Sequence, residues 1–111
     1  MVKLTITPKA AEQINMKMIN KDLMLKLKYE TEGNGCVMNG VPMLELIEKR
    51  ELDDDEIQFE TDIMPVIMEK SKIIFFADQL KIDYSTEAQS FRLVSPDQIL
   101  NGRMACKVIS N

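Results

Sequence analysis

Residues 23–30 constrain the fold more than any other stretch of the chain. Leu23, Leu25, Leu27 and Tyr29 alternate with Met24, Lys26, Lys28 and Glu30. Alternation with period two puts an apolar row and a mostly polar row on opposite faces of one extended strand. The apolar row needs a second layer to cover it, so the pattern asks for a sheet with one packed and one polar face. The strand runs into Gly33, Asn34, Gly35 and Cys36, where Asn-Gly favours a tight hairpin turn. A weaker alternating stretch follows at 43–49, with Leu44 and Leu46 separated by Glu45. Together these predict an antiparallel hairpin with Cys36 at its tip.

Other short elements surround this hairpin. Val2, Leu4 and Ile6 share one face of an opening strand. Thr7 then reads as an N-cap with Pro8 at the first helical position. Ala11, Ile14 and Met18 give an amphipathic helix of about 12 residues. Short strands are expected at 57–60, 65–68, 80–84 and 91–94. Ile73, Ile74, Phe75 and Phe76 form a continuous apolar run, which predicts a strand buried on both faces. Ser95, Pro96, Asp97 and Gln98 match a capping box, predicting a helix of one or two turns that stops at Gly102. Met104, Cys106 and Val108 alternate as in a terminal strand or an extended tail. The acidic run Asp53, Asp54, Asp55 and Glu56 lacks the ligand spacing of a calcium loop and reads as a solvated turn. The pattern is a single β-rich α+β domain over residues 1–111.

Composition narrows the function. A chain of 111 residues, 45% of them hydrophobic, supports one core. A net charge of -4 with no cluster of Lys and Arg argues against nucleic acid as a partner. No stretch approaches the roughly 20 apolar residues that span a membrane, and the start carries no secretory pattern. The expected compartment is therefore the reducing cytoplasm. With no histidine there is neither a Ser-His-Asp triad nor a Cys-His pair. Gly33, Gly35, Gly40 and Gly102 form no phosphate loop, and no Cys-x-x-Cys is present. An enzyme is not expected. The nine methionines read as adaptable core filler, and the carboxylates as exposed.

Cys36 and Cys106 are the only cysteines. Free cysteine is often a small buried hydrophobe. Cys36, however, sits on a glycine turn, where backbone amides can point at a thiolate and lower its pKa. Cys106 lies near a chain end, in Arg103-Met104-Ala105-Cys106-Lys107. Inert thiols and ligands both remain open. A thiol–disulfide switch is a third reading, and it needs Cα atoms within about 7 Å.

Several motifs then occur in a telling order. Leu4-Thr5-Ile6-Thr7 precedes Ala10, Ala11 and Ile14, and Leu25-Lys26-Leu27-Lys28 leads to Gly33, Gly35 and Cys36. Asp55, Ile57 and Phe59 come next, then Leu80-Lys81-Ile82-Asp83-Tyr84 and Ser90-Phe91-Arg92-Leu93 before Ser95-Pro96. Nearly end to end, the chain resembles the HesB/IscA-like family of iron–sulfur cluster biogenesis proteins, the A-type carriers. The resemblance implies a HesB-like sandwich or barrel with the N-terminal helix and a short helix near the C-terminus. It implies a carrier that binds iron or a [2Fe–2S] cluster through Cys36 and Cys106. Its partners would be iron–sulfur assembly or acceptor proteins and a second copy in a homodimer. Where the family has Cys-Ser-Gly this chain has Cys36-Val37-Met38, and where the family ends in Cys-Gly-Cys-Gly it has Met104-Ala105-Cys106-Lys107. Met104 thus stands in place of one thiol, as in a divergent branch of small bacterial relatives. The alternative is a degenerate HesB-like interaction or regulatory module, with Met38, Met43 and Leu44 near the turn supplying an apolar partner surface.

Overall fold

Apolar rows of period two, and one row of helical period, sort the chain into nine strands and one α-helix among the described residues. A computed structural model describes residues 3–18, 23–30, 41–61, 63–76 and 78–108. Strand β1 (Lys3–Ile6) leads to α1 (Pro8–Lys17), β2 (Leu23–Glu30) and β3 (Val41–Glu48). Strands β4 (Glu56–Phe59) and β5 (Val66–Glu69) precede a 3₁₀ turn (Lys70–Phe75). Strands β6 (Gln79–Ser85), β7 (Ser90–Val94), β8 (Ile99–Met104) and β9 (Cys106–Val108) complete the order.

The strands form two sheets, ordered β1-β6-β7-β8 and β4-β5-β2-β3-β9. The hairpin expected from residues 23–49 is present, with β2 and β3 antiparallel from Leu23↔Glu48 to Glu30↔Val41. Its tip, with Cys36, lies outside the described residues. Leu25, Leu27, Leu44, Leu46, Val66 and Met68 of the five-stranded sheet share one core with Leu4, Ile6, Leu80, Ile82, Phe91 and Leu93 of the other. Ala10, Ala11 and Ile14 of α1 are buried in the same core. Tyr84 meets Phe91 edge to face at 5.1 Å. The result is a β-rich two-sheet α+β domain, not a closed barrel.

The helix starts where Thr7 predicts. Its hydroxyl accepts from the Ala10 amide at 3.2 Å and donates to Asp83 Oδ1 at 2.9 Å. Arg92 holds the other carboxylate oxygen through Nε and Nη2, at 3.0 and 2.8 Å. Burial opposes ionisation of Asp83, but the bonds from Arg92, the Tyr84 amide and Thr7 prevail and lower its pKa. One residue therefore caps α1 and ties it to β6. Thr7→Ala should lower stability by about 1–2 kcal/mol, whereas Thr7→Ser should retain most of it; urea unfolding midpoints distinguish the two.

Three expectations are corrected. The run 73–76 is not a strand: residues 70–75 form the 3₁₀ turn, and the Phe76 amide bonds the Ile73 carbonyl at 3.0 Å. Asp55 pulls this turn in, accepting from the Lys70 amide at 2.6 Å and the Ser71 hydroxyl at 2.7 Å. An apolar run without a period does not distinguish helix from strand.

The short C-terminal helix is absent, and β8 stands in its place. Both the amide and the hydroxyl of Ser95 donate to the Gln98 carbonyl, at 2.8 and 3.3 Å. That closes a turn where a capping box would have Ser95 accept from an amide. Pairing with β7, from Val94↔Ile99 to Phe91↔Met104, then overrides a weak local signal.

The acidic run is solvated only in part. Asp53, Asp54 and Asp55 are exposed, but Glu56 is 5% exposed. Its carboxylate accepts from Lys26 Nζ at 2.8 Å, from Arg50 Nη1 and Nη2 at 2.7 and 2.9 Å, and from the Asp53 amide at 2.9 Å.

Candidate functional site

Cys106 is placed by a strand that changes sheets. Strand β8 belongs to the four-stranded sheet and β9 to the five-stranded one, with Ala105 between them. The Ala105 carbonyl accepts from the Leu44 amide at 2.8 Å, and Asn101 Nδ2 donates to the Pro42 carbonyl at 2.9 Å. These bonds hold the crossing against β3. Beyond it β9 runs parallel to β3, with Cys106 opposite Leu44 and Leu44 opposite Leu27. Cys106 therefore lies on the core side of the sheet, half-buried, with no disulfide among the described residues.

Met104 has a different place. It pairs with Phe91, is 2% exposed and is among the largest fully buried side chains. Its side chain packs in the core, and the residue borders the same cleft as Cys106. Of the two sequence-predicted ligands, the described residues include Cys106 alone; Cys36 lies outside them. No three Cys, Asp or Glu side chains among the described residues gather as a metal-holding group.

A cleft of about 300 Å³ opens at Cys106. It is lined by Gln13 and Lys17 from α1, by Ser90 at the start of β7, and by Arg103. Gln89, in the turn between β6 and β7, takes a left-handed φ of 51° beside it. Burial pushes the Cys106 thiol pKa up, and the Lys17 ammonium pulls it partly back. The cleft thus pairs a soft sulfur donor with nearby positive charge, which suits an anionic metal–sulfur group. Lys17 and Ser90 carry no local motif that marks them, because only helix docking and strand pairing bring them to Cys106.

The methionines divide between two environments. Met68 and Met104 are buried filler, as expected, while Met16 is 58% exposed. Met18, Met24 and Met64, from three separate segments, line a second cavity of about 420 Å³ with Leu23, Ile63 and Ile67. No helix of the described residues is long and apolar enough to cross a membrane.

Comparison with known proteins gives the family and the fold. The profile of the iron–sulphur cluster biosynthesis family matches residues 2–108, and the chain belongs to that family. The uncharacterized protein YqkB of Bacillus subtilis (strain 168) is 40% identical over 83 residues, covering 75% of this chain and 76% of YqkB. The fold is similar to that of a Lactobacillus salivarius protein assigned to Fe–S biosynthesis. The TM-score is 0.78 at 16% identity, with 96% of this chain and 98% of that one covered. It is also similar to IscA with the [2Fe–2S] cluster, with a TM-score of 0.58 at 14% identity and coverage of 85% and 86%.

Proposed function

We propose that the protein is a non-catalytic carrier. Iron or a [2Fe–2S] cluster is its cargo, held by the thiolates of Cys36 and Cys106 and passed to acceptor proteins of the reducing cytoplasm. The observation that carries this reading is a thiol in a cationic cleft, in a chain of an iron–sulphur cluster biosynthesis family. Covalent reach supports the pairing of the two cysteines. Cys106 lies beside Leu44, roughly 11 Å from the Val41 end of β3. Cys36 is five residues from Val41, a reach of up to about 17 Å. A [2Fe–2S] cluster takes four thiolate-type ligands, and two copies of this chain supply four. The cargo would therefore be shared across a symmetric pair, with Met104 contributing packing and no ligand.

Anaerobic reconstitution with iron and sulfide tests this. The expected product shows visible charge-transfer absorbance, retains iron through desalting and elutes as a pair of chains. Cys36→Ser with Cys106→Ser should abolish both the absorbance and the retained iron. An unchanged visible spectrum with no retained iron would sink the carrier reading. The second reading, a module that has lost metal binding, is favoured by the burial of Met104 and the raised Cys106 pKa. That chain would retain no iron.

A further inference from the structure

The Ser90 hydroxyl is buried and, among the described residues, has no hydrogen-bond partner. Buried hydroxyls are almost always paired, so an orphan on the wall of an open cleft points to something that enters it. Ser90 lines the same cleft as Cys106 and Lys17. Lys17 is in the last turn of α1, and the exposed Arg103 adds a second positive charge. None of the described residues lining the cleft is a carboxylate. Ser90, whose buried hydroxyl lacks an acceptor, thus lines one cleft together with an ammonium, a guanidinium and a thiol.

We infer that the Cys106 cleft is built to hold negative charge, with the Ser90 hydroxyl and the Lys17 ammonium as its donors. In the carrier these two act as positioning residues, holding the anionic sulfide and thiolate shell of the cargo at the Cys106 sulfur. The identity of that anion rests on the proposed function; the preference for negative charge does not. Hydrogen bonds to sulfur are among the factors that tune iron–sulfur centres, and a fixed cation offsets their net charge.

Charge selectivity at the sulfur can be read without any metal. In a Cys36→Ser background Cys106 is the sole thiol. Iodoacetate and iodoacetamide are close in size, and both form an S–C bond to the thiolate as iodide leaves. The ratio of their rates therefore cancels thiolate fraction and access, leaving the response to the reagent's negative charge. At low salt the ratio should exceed that of N-acetylcysteine amide by roughly tenfold. It should fall several-fold in both Ser90→Ala and Lys17→Met, and hold in Ser90→Thr and Lys17→Arg, with circular dichroism confirming each fold. A ratio equal to the reference thiol, or unmoved by both substitutions, would overturn the inference. A fall with Lys17→Met alone would overturn the part assigned to Ser90. Failure of iron reconstitution would count against the carrier reading and leave this ratio as it is.

Discussion

Glu56→Gln is expected to lower the free energy of unfolding by about 3 kcal/mol. The carboxylate is nearly enclosed and accepts from Lys26, twice from Arg50 and from the Asp53 amide. Lys26 is itself 9% exposed, at the centre of β2 between β3 and β5. Glutamine matches the shape but removes the charge, and its amide nitrogen turns donors against donors. Lys26 is then buried without a counter-charge, and that accounts for most of the loss. Arg50 is 39% exposed at its side chain and can turn to water, so its share is smaller. Lys26→Met with Glu56→Leu should recover most of the loss, because an apolar pair of similar volume has no charge to desolvate. Urea midpoints at constant m-value measure both; a Glu56→Gln midpoint equal to wild type would contradict the account.

The same cluster fixes a pH dependence. The bonds from Arg50, opposed by burial and reinforced by Lys26 and the Asp53 amide, hold the Glu56 carboxyl well below the usual carboxylate range. A depressed folded-state pKa stabilises the fold above the unfolded value of about 4.3. The stabilisation fades as pH falls below that value, because the unfolded chain takes up the proton first. Glu56→Gln should therefore flatten the acid limb of a stability profile.

Where a segment's apolar period was clean, the sequence was enough. The rows of β2, β6 and β7 and the Thr7 cap were legible because each depends on neighbours within a few residues. Residues 73–76 and 99–102 depart from their local pattern because their conformation is set elsewhere, by Asp55 and by the edge of β7. Glu56 reads as solvent-facing because it follows three aspartates, while Lys26 and Arg50, which bind its carboxylate, come from outside that run. The site follows the same rule. Cys106 was legible as a residue, but its setting was not, since Lys17, Ser90 and Leu44 come from α1, β7 and β3. Met104 shows the converse, since alternation with Cys106 put both on one face. Both do pack against the shared core, but the switch of sheets at Ala105 pairs Met104 with Phe91 in one sheet and Cys106 with Leu44 in the other, and only Cys106 stays half-buried.

Leu44→Ala should be the other large loss, about 3–4 kcal/mol. Leu44 is fully buried in the five-stranded sheet, flanked by Leu27 on β2 and Cys106 on β9. Its amide bond to Ala105 persists in the variant, so β9 keeps its register. What disappears is the side-chain volume beside Cys106, in a core whose neighbours are held by sheet hydrogen bonds and collapse only partly. The cavity removes apolar contacts from one side of the thiol, so the Cys106 sulfur gains freedom as the fold loses stability. In the Cys36→Ser background, reaction with a neutral disulfide reagent should therefore accelerate under conditions where the variant is still fully folded. Leu46→Ala, equally buried but opposite Val108, should match its loss of stability without that acceleration. Equal thiol rates in the two variants would mean that global unfolding, and not the packing beside Cys106, controls access to the sulfur.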